Sequence, residues 1–104
     1  MSSSKEYLNF LLEQLSEVEG ITYRAMMGEY IIYCCGRIAG GIYDNRFLIK
    51  PVEAAKRFMP EAEFVQPYKG AKDMILVDNV DDKEFLRELF NAILDELPVP
   101  KKKK

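Results

Sequence analysis

The chain has 104 residues, of which 48% are hydrophobic and 31% are charged, and its formal net charge is −2. This composition is typical of one globular domain and excludes a disordered chain. The apolar runs are far shorter than the ~20 residues of a membrane-spanning helix. The N-terminus also lacks the apolar stretch of a secretory signal, so we expect a cytoplasmic protein.

The small net charge hides a segregated pattern. Residues 22–72 carry +3, residues 73–100 carry −6, and the four lysines at 101–104 carry +4, so the body without these lysines carries −6. Dedicated DNA-binding domains usually present a strongly basic face, because neutralising phosphates supplies much of their affinity. Nucleic acid is therefore a possible but not a favoured partner.

The first predicted element is a helix from about residue 4 to residue 18. Ser3 and Glu6 have the spacing of a capping box, and the leucines that follow recur at helical period, at 8, 11, 12 and 15. Gly20 stands where a helix commonly ends in a left-handed residue. A change from helix to strand is expected there.

Four short strands are predicted next, at 21–26, 30–34, 37–43 and 46–50. This region is rich in isoleucine and aromatic residues and carries turn signals between its runs. The connections are too short for parallel crossovers, so the strands should form an antiparallel meander.

The second half begins with a short helix after Pro51, which Met59 and Pro60 end. The stretch 61–73 is predicted to be an extended edge segment and loop, and 74–77 a fifth strand. A last helix is capped by Asp81 with Glu84 and carries a wide apolar stripe up to residue 97.

These elements predict an α+β fold of two layers. The N- and C-terminal helices should cover one face of an antiparallel sheet of about five strands, with a short middle helix. Residues 1–100 should form one domain, and the lysines at 101–104 a disordered tail.

Few residues suggest catalysis, because the chain has no histidine, the commonest general acid/base and metal ligand. We expect no enzyme activity, no cofactor and no metal. Cys34 and Cys35 are expected to be reduced thiols, one in the core and one exposed. Neighbouring strand residues point to opposite faces, so the pair is not expected to bind zinc within one chain.

Two further patterns have structural explanations. Asp78, Asp81 and Asp82 suit a helix N-terminus better than a cation site. Gly40 and Gly41 lie inside a predicted strand, where a bulge or close packing explains them better than a phosphate-binding loop.

A candidate interaction surface is formed by tyrosines interleaved with basic residues in the central segment. Such a surface suits a protein contact, in which tyrosine and arginine are enriched, and less well a nucleic-acid strand that stacks on aromatic rings. Its members are Tyr30, Tyr33, Arg37, Tyr43, Arg46, Lys50, Tyr68, Lys69 and Lys72.

The run from Tyr23 to Phe58 resembles the TfoX N-terminal-domain family. The shared pattern is Met26-Met27-Gly28, Gly36 between two strands, the small-residue strand 39–42, and Leu48-Ile49-Lys50 before a helix. The resemblance covers roughly residues 3–97 and implies an α/β sandwich. Two-domain members of that family are competence regulators that act on transcription, and no catalytic residue is implied.

The sequence is compatible with three functions. The leading hypothesis is a non-enzymatic regulatory or adaptor domain that binds a protein partner, such as a transcription regulator. The second is nucleic-acid binding through the central basic segment and the lysine tail, and the third is a thiol-based redox sensor. A homodimer through an unpaired sheet edge is compatible with all three.

Overall fold

The structure is a computed structural model that describes residues 4–26 and 28–97. Its helices are α1 (Lys5–Gln14), α2 (Glu53–Phe58) and α3 (Lys83–Ile93), and a short 3-10 turn, Leu94–Glu96, follows α3. Its strands are β1 (Ile21–Met26), β2 (Glu29–Cys34), β3 (Arg37–Ile42), β4 (Phe47–Ile49), β5 (Phe64–Val65) and β6 (Met74–Leu76). None of the helices in the described part of the chain has the length and apolar character needed to cross a membrane.

The strands form one antiparallel sheet in the order β1-β2-β3-β4-β6-β5. The antiparallel meander is confirmed, but the sheet has six strands in the part of the chain that the structure describes, rather than about five. The additional strand, β5, lies in the predicted edge segment and has only two residues. So short a strand forms because β6 pairs with it, which is a tertiary effect that local propensity does not show.

Two tight turns set the register of the central strands. Cys35 and Asp44-Asn45 are the described non-glycine residues with positive φ, and Gly36 also has positive φ. Positive φ at both central residues is the pattern of type I′ turns, whose twist matches that of the strands they join. The turns at Cys35-Gly36 and Asp44-Asn45 therefore place β2, β3 and β4 side by side.

The prediction that Gly40 and Gly41 mark a bulge or close packing is confirmed on both counts. Ile32 pairs with Gly40 while Tyr33 pairs with Ile38, so the register shifts between β2 and β3. A Cβ atom on Gly40 would lie 2.0 Å from the carbonyl oxygen of Leu48. Glycine is needed here because the neighbouring strand leaves no space for a side chain.

The two long helices cover one face of the sheet, as predicted. Leu8, Leu11 and Leu15 from the N-terminal region and Leu86, Leu89, Phe90 and Ile93 from α3 are buried against sheet residues such as Ile32, Ile42 and Ile49. Phe47 of β4 and Phe90 have ring centroids 6.2 Å apart at an interplanar angle of 4°. This layer is the hydrophobic core.

The helix boundaries differ slightly from the predictions. Helix α1 ends at Gln14 rather than near residue 18, and its N-cap is Ser4, whose side chain accepts a hydrogen bond from the Tyr7 amide. The predicted cap, Ser3, lies outside the described residues. Helix α3 is capped by Asp82 rather than Asp81, because Asp82 Oδ1 accepts from the Phe85 amide at 3.0 Å.

Helix α2 packs beside α3 and is fixed at both ends. The Ala54 amide donates to Glu96 Oε1 at 2.8 Å, so a carboxylate stabilises the helix N-terminus. Near its other end, the rings of Phe58 and Phe85 lie 5.3 Å apart. Residues of α1, α2 and α3 all belong to the one core, so within the described part of the chain no helix packs on the opposite face of the sheet.

Candidate functional site

The uncovered face of the sheet is called the open face here. Residues that pair directly across an antiparallel sheet point to the same side, and Ile32 and Ile42 point into the core. Their neighbours along each strand therefore point to the open face. Strand pairing assigns to this face Thr22, Arg24, Met26, Glu29, Ile31, Tyr33, Ile38 and Gly41.

A shallow apolar groove crosses the open face. Two adjoining cavities of about 410 and 350 Å³ share Met26, Ile31, Tyr43 and Tyr68 as lining residues, and the second also includes Ile38. We call these five residues the open-face groove. Met26, Ile38 and Tyr68 are 48%, 37% and 63% exposed. Large apolar side chains collected on one exposed face are typical of an interaction site.

The segment 66–73 forms one wall of the groove. The Tyr68 ring lies 6.2 Å from the Tyr43 ring, tilted by 53°. Two hydrogen bonds fold the segment on itself, from Gln66 Nε2 to the Ala71 carbonyl at 2.8 Å and from the Ala71 amide to the Tyr68 carbonyl at 3.0 Å. The exposed Tyr68 is therefore held in place over the sheet.

Basic side chains border the groove. Lys50 and Lys72 line it together with Asp73, and Arg24 lies on the same face. The rest of the molecule is acidic, because all 17 acidic residues of the chain lie in its described part, whereas four of the 15 basic residues are the lysines at 101–104. Glu29 also lines the groove, so its border carries three basic side chains against two acidic ones, Glu29 and Asp73.

The hydroxyl of Tyr43 remains neutral in the groove. Burial raises its pKa above the ordinary tyrosine value, and the neighbouring Tyr68 and Glu29 act in the same direction. Tyr43 can therefore donate a hydrogen bond at neutral pH, but it does not supply a negative charge.

The structure brings together only part of the predicted interaction surface. Tyr43, Lys50, Tyr68 and Lys72 line the groove, and Tyr33 points to the same face. Lys69 is exposed in the adjacent loop but does not line the groove.

Three of the predicted surface residues have structural roles elsewhere. Tyr30 packs against the core on the helical side. Arg37 donates from Nη1 to the Leu94 carbonyl at 2.7 Å and so ties β3 to the end of α3. Arg46 donates from Nε to the Tyr43 carbonyl at 3.3 Å within the tight turn.

Sequence reasoning missed the apolar floor of the groove. Met26, Ile31 and Ile38 lie on three successive strands, at positions that alternate with core residues. Apolar residues at both alternating sets of positions indicate a sheet with two apolar faces. This pattern was the sequence signal for the floor of the groove. The contact between Tyr43 and Tyr68 had no such local signal.

The two cysteines form a second notable feature. Cys34 is 2% exposed in the core and Cys35 is exposed at the turn, which confirms the predicted division. Their side chains do not diverge, however, because Sγ of Cys34 and Sγ of Cys35 lie 3.7 and 3.8 Å from the same Glu19 carbonyl oxygen. The strand alternation assumed from sequence fails because Cys35 belongs to the turn, with a φ of 55°.

The buried thiol should make the protein less stable at alkaline pH. Burial raises the pKa of Cys34 to about 11, and the adjacent Cys35 adds to the effect. An unfolded thiol titrates near ~8.5, so the unfolded chain loses this proton first as the pH rises. The free energy of unfolding should therefore fall between about pH 9 and pH 11, by at most ~1.4 kcal/mol per pH unit.

Urea unfolding of the wild type and Cys34→Ala across this pH range measures the effect. The variant should lose part of the alkaline decline, while Tyr7 and Tyr43, whose pKa values burial also raises, contribute equally in both proteins. Identical slopes in the two proteins would rule out a buried neutral thiol at position 34.

Within residues 4–26 and 28–97, no group of three or more Cys, Asp or Glu side chains is placed to hold a metal ion. Asp82, one of the three aspartates considered as a cation site, is instead the N-cap of α3.

Together, the fold and the groove define a small α+β domain with a helical side and an apolar open face. The chain is 31% identical over 105 residues to the "Uncharacterized 12.7 kDa protein in trpE 5'region" of Spirochaeta aurantia, an alignment that spans 100% of this chain and 91% of that protein. The chain belongs to the same family as this spirochaete protein. No family model matches the chain and no solved structure matches it, so the TfoX resemblance stays a prediction.

Proposed function

We propose that this protein is a cytoplasmic, non-enzymatic adaptor domain that binds a partner protein through the open-face groove. The observation that carries the proposal is the grouping of Met26, Ile38 and Tyr68, three of the large exposed apolar side chains, around one groove. Aromatic and methionine side chains are enriched where proteins bind proteins. The resemblance to a family of transcription regulators supports a regulatory role.

The occupant we assign to the groove is a segment of a partner protein that carries apolar side chains flanked by acidic ones. The apolar lining of the groove accounts for the apolar side chains of this segment, and the charges at its border for the acidic ones. Lys50, Lys72 and Arg24 outnumber Glu29 and Asp73 at the border, and this excess of cations favours acidic side chains on the approaching segment. An acidic partner that lacked apolar anchors would gain little from the floor of the groove.

The distribution of basic residues favours this partner over nucleic acid. Arg37 is turned to the helical side and Arg46 to its own turn, so the central basic segment does not form one continuous strip. Nucleic-acid binding depends on several cations that follow a phosphate backbone. The remaining cations on the open face border an apolar groove instead.

Site-specific photo-crosslinking in the native host tests the proposal. A benzophenone amino acid replaces Tyr68 at the groove in one variant and Ala92, an exposed position on α3, in the control. The expected result is a discrete crosslinked protein from position 68 that is absent from position 92. Mass spectrometry of the adduct should locate the crosslink in a segment with apolar and acidic residues.

Other outcomes would overturn the proposal. A partner captured at position 92 alone would place the interaction on the helical side. Crosslinks at position 68 to nucleic acid or to a second copy of the chain would replace the proposed partner by those alternatives. No adduct at either position would remove the support for an adaptor role.

A further inference from the structure

The cysteine pair, Cys34 and Cys35, is a feature separate from the open face. Adjacent strand residues normally point to opposite faces, but Cys35 occupies the first central position of the turn after β2 with a φ of 55°. The left-handed conformation turns its side chain towards that of Cys34. Both Sγ atoms lie within 3.8 Å of the Glu19 carbonyl oxygen, so two thiols and one oxygen converge.

The fold holds this cluster against the turn that precedes β1. The Cys35 amide donates to the Gly20 carbonyl at 2.8 Å. A Cβ atom on Gly20 would lie 2.8 Å from Cys35 Sγ, so glycine makes the approach of the thiol possible. A cavity of about 310 Å³ adjoins both cysteines and is also lined by Glu17, Arg87 and Asn91. The thiols thus have space beside them for a bound group.

We propose that Cys34 and Cys35 form a vicinal dithiol site for a soft, thiophilic metal or metalloid centre that accepts two thiolates, with trivalent arsenic as the representative ligand. Thiolates are the preferred ligands of such centres. With an organoarsenic oxide, two S–H bonds break, two As–S bonds form, and the oxide oxygen leaves with both protons as one water molecule. No oxidant or reductant is required.

The same geometry favours a bridging atom over a disulfide between the two residues. A disulfide between neighbouring residues closes a small ring whose S–S geometry is demanding. Insertion of an arsenic atom enlarges the ring, so the turn retains its backbone conformation. The high pKa of Cys34 keeps that thiol protonated until the ligand displaces the proton.

The test uses the full chain and phenylarsine oxide as the probe. Intact-mass spectrometry should show one arsenical per chain with the loss of one water. The adduct should persist in excess glutathione, a monothiol, and be removed by dimercaptopropanol. Cys35→Ser changes an exposed side chain and should preserve the fold, as circular dichroism can check. It should lower the affinity for the arsenical by at least about 100-fold. Cys34→Ser should lower this affinity by a similar factor.

A peptide spanning residues 30–40 shows whether the fold contributes to the site. The folded chain should bind the arsenical at least about 10-fold more tightly than the peptide, and binding should raise the melting temperature because the ligand prefers the native state. The proposal is overturned if the peptide binds equally well, if binding lowers the melting temperature, or if Cys35→Ser retains wild-type affinity. None of these results depends on the open-face groove.

Discussion

Gly40→Ala should lower the free energy of unfolding by about 3 kcal/mol or more, which is a large fraction of the ~5–15 kcal/mol of an ordinary domain. The added Cβ would lie 2.0 Å from the Leu48 carbonyl oxygen and 2.7 Å from Ile49 Cα. Both atoms belong to the backbone of β4, which is held between β3 and β6. The methyl group is accommodated only if β3 and β4 separate.

Gly70→Ala is the matched control for this change. Gly70 has a φ of 90°, but no atom of the described residues lies within 4 Å of the position of an added Cβ, so only backbone strain of about 1 kcal/mol is expected. Urea unfolding of both variants measures the difference. Similar losses at positions 40 and 70 would show that close strand contact is not what requires Gly40.

The second large effect is expected from Phe90→Ala, which should cost about 3–5 kcal/mol. Phe90 is 1% exposed and stacks on Phe47, so its removal leaves a cavity between α3 and the sheet. Phe10→Ala, at a position that is 39% exposed on α1, should cost less than about 1 kcal/mol. A small loss for Phe90→Ala in thermal or urea unfolding would contradict the assignment of the core to this layer.

The parts of the fold that were predictable are those with a local signal. Leucine periodicity indicated α1 and α3, and short apolar runs between turn residues indicated the strands from β1 to β4. Strand β5 escaped detection because two residues carry no periodicity. The turn at Cys35-Gly36 was predicted as a turn, but the convergence of the thiols depends on the φ of one residue.

The groove was less predictable than the fold. Tyr43 and Tyr68 were both selected from composition, yet their contact joins segments that are distant in the chain. Composition also selected Arg37, whose hydrogen bond to the Leu94 carbonyl gives it a structural role. Residue type identifies which side chains suit an interface, whereas the sheet pairing decides which of them share a face.

The most direct test of the open face is the affinity of the crosslinked partner, once purified, for two matched variants. Ile38 and Phe10 are 37% and 39% exposed, but Ile38 lies in the groove and Phe10 lies on the helical side. Isothermal titration calorimetry should show that Ile38→Asp weakens binding at least about 10-fold, because it places an unpaired charge in an apolar contact. The affinity of Phe10→Asp for the partner should stay within about 2-fold of that of the wild type. A larger loss of affinity for Phe10→Asp than for Ile38→Asp, or no loss in either folded variant, would contradict the assignment of partner binding to the open face.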